Sequence, residues 1–306
     1  MKVLITGGAG YVGTELTALL VQQNEINEVV VFDNLSKAHY NFFLGQSYTN
    51  SSKIRFVHGE ILDSRLLKKE MDQVDVVVHL AAIVTTPFAN TDPHFYEQIN
   101  HWGTAEVVYA AEESNISKFI YLSSISVYGA RQEMATEEST PRPTTFYGVS
   151  KLRGEEHVNR LTESKNAIII RGGNVYGFSR SMRFDAVINR FMFDANFSNR
   201  IQIFGTGKQT RSFIHVDHLS ETLVRTILNE VPSAIYNVVD KNLQILDIVD
   251  VLKELYPSLE FIFTNQHMNL RELNINPKTR LFDHIKKFTE SGLKEELKEF
   301  KQKFSF

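Results

Sequence analysis

Short runs of β-branched and other apolar residues punctuate the first 170 residues: Val3-Leu4-Ile5, Val29-Val30-Val31-Phe32, Ile54-Arg55-Phe56-Val57, Val74 to Val78, Phe119-Ile120-Tyr121-Leu122 and Ile168-Ile169-Ile170. Runs with so little polar alternation read as strands covered on both faces. Several of the intervals between them are long enough for a helix, and in Thr14 to Gln23, Ile99 to Ser114 and Ser150 to Ser164 apolar residues recur at helical spacing. Strands alternating with helices predict an α/β fold, a doubly wound parallel sheet of Rossmann type. Beyond Arg171 the pattern shifts to shorter, irregular elements rich in Phe, Asn and Arg, then a strand-like run from Ile235 to Val239 and two helical patterns near the end. The expected division is a nucleotide-binding domain over residues 1–170 and a smaller α/β substrate domain over 171–306, with the chain returning to the first near 207–230. The Lys/Glu-rich stretch from Leu293 to Lys303 reads as a solvated helix face.

Composition narrows the function classes. With 306 residues, 42% hydrophobic and 23% charged, the chain can bury a sizeable core, which excludes global disorder. Its net charge of −3 lacks the basic excess that capture of nucleic acid or acidic lipid uses. Neither is an expected partner, and the 22 phenylalanines, with no basic residues interleaved, read as core rather than base-stacking platforms. The absence of cysteine removes disulfides, thiolate zinc sites and cysteine nucleophiles together, so no metal site is implied. The longest apolar stretch, around Val76 to Val84, is about half a membrane span, and no leader pattern precedes the first strand-like run. A cytoplasmic protein without a membrane segment is expected.

Directly after the first strand-like run stands Gly7-Gly8-Ala9-Gly10-Tyr11-Val12-Gly13, running into the helical stretch from Thr14. Gly7, Gly10 and Gly13 would permit a tight turn, backbone approach to a pyrophosphate and close helix–sheet packing, with the helix N-terminus facing the phosphate charge. It is not a phosphoryl-transfer loop, because Thr14 stands where the phosphate-binding lysine would be needed. Asp33, twenty residues after Gly13 at the end of the second strand, is placed to accept from the adenosine ribose hydroxyls. Asn34, Leu35 and Ser36 follow without an arginine, so a 2′-phosphate would meet a carboxylate and no cationic fork. The expected cofactor is NAD rather than NADP.

After the fifth run comes Ser123-Ser124-Ile125-Ser126-Val127-Tyr128-Gly129, and 23 residues beyond Ser124 stands Tyr147-Gly148-Val149-Ser150-Lys151. On a helix Tyr147 and Lys151 share one face. In this order, and together with Gly59-Glu60-Ile61, His79-Leu80-Ala81-Ala82, Asn100-x-x-Gly103-Thr104, Arg171 to Gly177 and Gln209 to Val216, the chain resembles the extended short-chain dehydrogenase/reductase family over residues 2–239. The resemblance is to the branch acting on nucleotide sugars, including the UDP-glucose 4-epimerases.

By that resemblance Tyr147 is the general base, Lys151 binds the nicotinamide ribose and lowers the tyrosine pKa, and Ser124 holds the sugar oxygen. It further implies Tyr11, Val12, Asn34, Glu60, Ile61, Leu80, Ala81, Ala82, Asn100 and Ser123 as cofactor contacts, and Asn174 and Arg211 as contacts to a nucleotide-diphosphate sugar. An arginine fork suits that anion. His79 and His215 read as structural histidines. A homodimer built on paired helices is the family's usual assembly.

Three departures bear on the substrate: Glu60 for a frequent aspartate, Ser212 for an aspartate after Arg211, and Val239-Asp240 for a glycine-containing continuation. The family's sugar 4,6-dehydratases carry an Asp-Glu pair just after the catalytic hydroxyl residue, and here Ile125 and Ser126 stand there. The GDP-sugar 3,5-epimerases and epimerase-reductases use a cysteine, absent here. The expectation is an NAD-dependent 4-epimerase, with a one-way 4-dehydrogenase or ketoreductase as the alternative. A non-catalytic dinucleotide sensor would typically have lost the tyrosine or the lysine.

Overall fold

The computed structural model describes residues 1–45, 47–84, 92–131, 133–265 and 272–306. Its strands are β1 (Lys2–Thr6), β2 (Glu28–Asp33), β3 (Ile54–His58), β4 (Val76–His79), β5 (Lys118–Ser124), β6 (Asn166–Gly172), β7 (Asn174–Tyr176), β8 (Arg200–Phe204), β9 (Thr210–His215), β10 (Ile235–Val238), β11 (Lys241–Gln244) and β12 (Glu260–Thr264). Helices α1 (Tyr11–Leu20), α2 (Ser64–Met71), α3 (Pro93–Tyr96), α4 (Thr104–Glu113), α5 (Phe146–Leu161), α6 (Val187–Ser198), α7 (Val216–Leu228), α8 (Ile245–Leu255) and α9 (Leu293–Lys301) connect them. A wide helical turn over Glu97–Gly103 joins α3 to α4. Among the described residues no helix is long and apolar enough to cross a membrane.

Seven strands form one parallel sheet in the order β10-β6-β5-β4-β1-β2-β3. The uninterrupted apolar runs follow from this topology, because successive side chains point to opposite faces and both faces are covered. Val3, Ile5, Val29, Val31, Ile168 and Ile170 enter the core shared with Leu16, Leu20, Leu219 and Leu223 of α1 and α7. Leu4, Val30, Phe32, Phe119 and Ile169 enter the opposite core with Leu67, Val107, Val108 and Val158 of α2, α4 and α5. Strand order reverses between β1 and β4, so the strand ends that carry Thr6 and His79 open a crevice where ligands bind in such sheets.

The chain leaves this sheet after β6 and builds a smaller layer around Phe191, Met192, Ile203, Phe213, Ile248, Leu252, Leu297 and Phe300. Here β11, β9 and β7 form one sheet and β12 pairs with β8 in another. The return to the large sheet reaches further than residues 207–230: α7 packs on α1, and β10 adds an edge strand beside β6. Two apolar faces explain this, since Val224 and Ile227 of α7 and Tyr236 and Val238 of β10 all bury in the α1-side core.

Helix α9 differs from the expected solvated face. Leu297 and Phe300 bury, and Glu296 is drawn in with them. The Glu296 carboxylate accepts from the Tyr176 hydroxyl, from Ser291 Oγ at 2.6 Å and from Lys241 Nζ at 2.8 Å, while Lys241 also meets Asp240 at 2.7 Å. Asp240 in turn holds His218 Nδ1 at 2.8 Å. The Val239-Asp240 departure thus closes a buried charge cluster that latches α9 to β7 and β11. Lys241→Met leaves two buried carboxylates without their cation and is expected to cost about 3 kcal/mol of unfolding free energy in a urea titration. A loss below about 1 kcal/mol would show that solvent already screens the cluster.

Candidate active site

The glycine turn begins the site. Gly7 has φ of +70°, and a Cβ there would lie 2.7 Å from the Ala81 backbone, while one on Gly13 would lie 2.6 Å from Gly8. Glycine is therefore required where the β1 exit meets the β4 exit and where α1 closes on its own turn. No side chain caps α1 at Gly10, so the first N–H groups of the helix, including those of Tyr11, Val12 and Gly13, face the crevice for an anion. The cradle fits a dinucleotide pyrophosphate. The Tyr11 ring turns away from it: its hydroxyl donates to Gly177 O at 2.7 Å and accepts from Asn189 Nδ2 at 3.1 Å.

Asp33 stands at the end of β2, beside the glycine turn. One carboxylate oxygen accepts from Ala9 N–H at 3.1 Å and the other from Leu35 N–H at 2.8 Å. Burial pushes its carboxyl above the ordinary range, against the pull of those two donors and of His39 and His58. Beside it Glu60 accepts from Asn34 Nδ2 at 2.6 Å and from Ile61 N–H at 2.9 Å, joining the ends of β2 and β3. The longer side chain at position 60 thereby braces Asn34.

The opposite wall is the segment 80–83, where Leu80, Ala81 and Ala82 stand half-buried after β4. Leu80 N–H donates to Thr6 O at 3.0 Å. Asn100 sits behind this segment, fully buried, with its amide oxygen on Ile83 N–H at 2.7 Å and its nitrogen on Ile83 O at 2.9 Å and Ser150 Oγ at 3.1 Å. Those bonds occupy the amide, so its influence on the cofactor wall runs through the Ile83 backbone. His79 lies between Thr6 Oγ1 at 2.6 Å and Thr104 Oγ1 at 2.9 Å, stacked on Tyr121, and burial holds it neutral. His215 caps α7 through Asp217 N–H, and burial pushes it down to about 3.

Helix α5 starts at Thr145, whose hydroxyl accepts from Gly148 N–H at 3.0 Å, and this brings Tyr147 over the end of β5. The phenol hydrogen-bonds Ser124, whose own hydroxyl oxygen accepts from Ser126 Oγ at 2.9 Å and Ser126 N–H at 3.2 Å. One turn along, Lys151 is buried with its ammonium 4.0 Å above the Tyr121 ring. Burial acts oppositely on the two: it raises the Tyr147 phenol and pushes Lys151 down to about 7. Ser123 is turned inward, its hydroxyl donating to Glu155 at 2.5 Å.

In the smaller layer, Asn174 stands exposed on β7 and donates to Ser212 O at 2.8 Å, while Arg211 lies half-buried on β9 beside Leu243 and Leu273. The Ser212 departure is a packing device. Its buried hydroxyl donates to Leu273 O at 3.2 Å and accepts from Ile275 N–H at 3.0 Å, tying the 273–275 segment to β9.

Two features escaped the sequence reading. Arg183, ion-paired with Asp185 at 2.7 Å, lies near enough to the Tyr147 phenol for its charge to pull that pKa down. It rides on a loop clasped to the glycine turn, with Thr14 Oγ1 on Ser181 Oγ at 2.9 Å and Asn189 Nδ2 on Arg183 O at 3.0 Å. No motif signals this clasp. The other is a buried ion pair, Arg171 with Glu155, whose 16-residue separation gives no signal in the sequence.

The profile of the NAD-dependent epimerase/dehydratase family matches residues 3–238. The chain belongs to this family. Among curated relatives of this epimerase/dehydratase, the dTDP-D-glucose 4,6-dehydratase of Homo sapiens is 31% identical over 83% of this chain and 73% of its own length. A putative UDP-glucose 4-epimerase of Methanocaldococcus jannaschii is also 31% identical, over 72% and 71%. Among solved structures, the UDP-glucuronic acid 4-epimerase from Bacillus cereus, in complex with UDP-glucuronic acid and NAD, superposes with a TM-score of 0.87 at 25% identity, covering 99% of this chain and 98% of that one. NAD is the cofactor of this family, and the glycine turn, Asp33 and the buried Lys151 fit it.

Asp33 generates the first test of the site. NAD should bind at least about tenfold more tightly than NADP in a calorimetric titration, because a 2′-phosphate would face this carboxylate. Equal or tighter NADP binding would overturn the role given to Asp33.

Proposed function

We propose that the protein is a nucleotide-sugar 4-epimerase in which Tyr147 is the general base, Ser124 orients the sugar hydroxyl, and Lys151 binds the nicotinamide ribose and lowers the tyrosine pKa. The observation that carries this choice over dehydration is the flank of Ser124. Ile125 is buried, and Ser126 spends its hydroxyl on Ser124. Neither offers the acid that elimination of water needs, although a dehydratase and an epimerase both match at 31% identity and the dehydratase match covers more of the chain. Support for the substrate class comes from neighbours that bind UDP-sugars together with NAD.

The chain's own residues account for the proton. A free phenol titrates near 10, so a base working near neutral pH needs a shift of about 3 units. Burial moves Tyr147 the other way, the Ser124 hydrogen bond and the Arg183 charge pull it back down, and the rest of the shift is assigned to Lys151, one turn along the helix. Bound NAD supplies the hydride acceptor, the hydride donor and a further positive charge. Tyr147, as phenolate, takes the proton of the sugar hydroxyl that Ser124 holds, and returns it to the same oxygen after the keto sugar has presented its other face. Asn174 and Arg211, together on the β11-β9-β7 sheet, are the residues assigned to the nucleotide diphosphate. The smaller layer, with β7 and β9, is assigned to the substrate. A homodimer through the outer face of α4 and the turn before it, where Trp102 and Tyr109 lie exposed, belongs to the same reading.

Tyr147→Phe should keep the fold and NAD binding, since the ring stays, while turnover drops by about 10²–10⁴. Near-normal turnover in that variant would falsify the mechanism. The reaction itself is read with UDP-glucose, UDP-N-acetylglucosamine and UDP-glucuronic acid carrying deuterium at carbon 4. One of them should yield an epimer that keeps the label, without net NADH. Stoichiometric NADH with a released keto sugar would establish the one-way dehydrogenase instead, and a product lighter by one water would establish a dehydratase.

A further inference from the structure

Lys151 is an unusual lysine for its surroundings. It is 1% exposed, its ammonium rests 4.0 Å over the Tyr121 ring, and the hydroxyl of that ring turns to the Lys151 carbonyl at 3.5 Å rather than to the ammonium. Such a charge is costly to bury unless something nearby offsets its desolvation. The groups that face it can be taken element by element. From β4, His79 is held neutral between two threonines. From β5, Tyr121 is a buried phenol that burial keeps protonated, and from its own helix Tyr147 is a half-buried phenol whose pKa desolvation also raises. One further turn along α5 stands Glu155, as buried as Lys151 itself.

The Glu155 carboxylate is held in place on every side. Ser123 donates to it at 2.5 Å from β5, and Arg171 grips it from β6 with two bonds of 2.9 Å and 2.6 Å. The Arg171 guanidinium is itself seated over the Tyr128 ring. The three positions Tyr147, Lys151 and Glu155 fall at intervals of four along one helix, so they form a row on one face of α5. That row runs from the proposed base through a buried cation to a fixed anion.

We propose that Glu155 is a positioning residue of the active site, a fixed buried carboxylate that keeps Lys151 in the ammonium form that the cofactor ribose and the Tyr147 phenol require. The role given to Tyr147 rests on the proposed function, whereas the link between Glu155 and Lys151 does not. Direction agrees with geometry: burial pulls the Lys151 pKa down, and Glu155 is the group that pushes it back up. Arg171 then has a part beyond packing, since it compensates Glu155 and fixes its orientation without touching Lys151.

The test reads cofactor binding, so it stands apart from the identity of the sugar. NADH is used because its nicotinamide ring is neutral and does not repel the ammonium. Its affinity, followed by fluorescence from neutral to alkaline pH, should fall through a break set by Lys151, and Lys151→Met should remove that break. In Glu155→Gln the break should move about one pH unit lower, while Glu155→Asp, which keeps the charge, should hold it near the wild-type position. The double variant Glu155→Gln with Arg171→Gln leaves no unpaired guanidinium behind, and it decides the matter where the single variant does not fold. A lowered break in the double variant supports the proposal. An unshifted break in Glu155→Gln, or its return to the wild-type position in the double variant, would show that Glu155 serves only to pair with Arg171, and would overturn it.

Discussion

Desolvation of the Tyr147–Lys151 pair is the constraint around which the rest of the site is arranged. Taking both side chains out of water raises the phenol and lowers the ammonium, the reverse of what proton abstraction needs. The same low dielectric makes every compensating charge count for more than it would at the surface. The fold places those charges with rigid elements: Glu155 on α5 gripped from β5 and β6, and Arg183 on a loop bound to the turn that opens α1. A bare cleft with the same tyrosine and lysine would hold a neutral pair.

The clasp between the 177–189 loop and the glycine turn has a further consequence. Tyr11 hydrogen-bonds Gly177, and Thr14 hydrogen-bonds Ser181, while Asn189 joins Tyr11 to the Arg183 carbonyl. All of these side chains except Arg183 are buried. A displacement of the α1 N-terminus therefore carries the loop that bears Arg183 with it. The glycine turn and the Arg183 loop are parts of one hydrogen-bonded body, and the Lys241 cluster ties α9 to β7, just ahead of that loop, in the same manner.

What could be read in the chain beforehand follows a physical division. Elements that repeat a simple periodicity were legible: the six apolar runs became β1 to β6 in register, because a parallel sheet buried on both faces demands such runs. Gly7, Gly13 and Asp33 were legible because local backbone geometry and a fixed spacing require them. Long-range polar pairs were not. Arg171 and Glu155 lie 16 positions apart and Tyr176 and Glu296 lie 120 apart, and nothing in the spacing of two distant residues announces that they will meet. For the same reason β10 read as part of the smaller layer, since an edge strand of four residues carries too little pattern to say which sheet it joins. Ser123 and Asn100 illustrate a subtler limit: each stands at the cleft, yet its polar atoms turn inward to hold Glu155 and Ile83.

That inward turn bears on how this scaffold separates reactions. Oxidation at one sugar hydroxyl needs only the hydroxyl–phenol–ammonium row and a cofactor, and these lie on β5 and α5. Elimination needs an additional acid beside the row, and the short turn after Ser124 is where the backbone could present one. Here the turn is spent on structure: Ile125 buries with Val127 and Tyr128, the Tyr128 hydroxyl donates to Asn237 at 2.8 Å, and Ser126 donates to Ser124. A carboxylate at 125 would have to enter that apolar cluster without a partner, at a cost well above that of a lost hydrogen bond. The packing that seats the turn against β10 thus leaves no place for a carboxylate at position 125, and what this turn can present to the cleft is decided in the hydrophobic core.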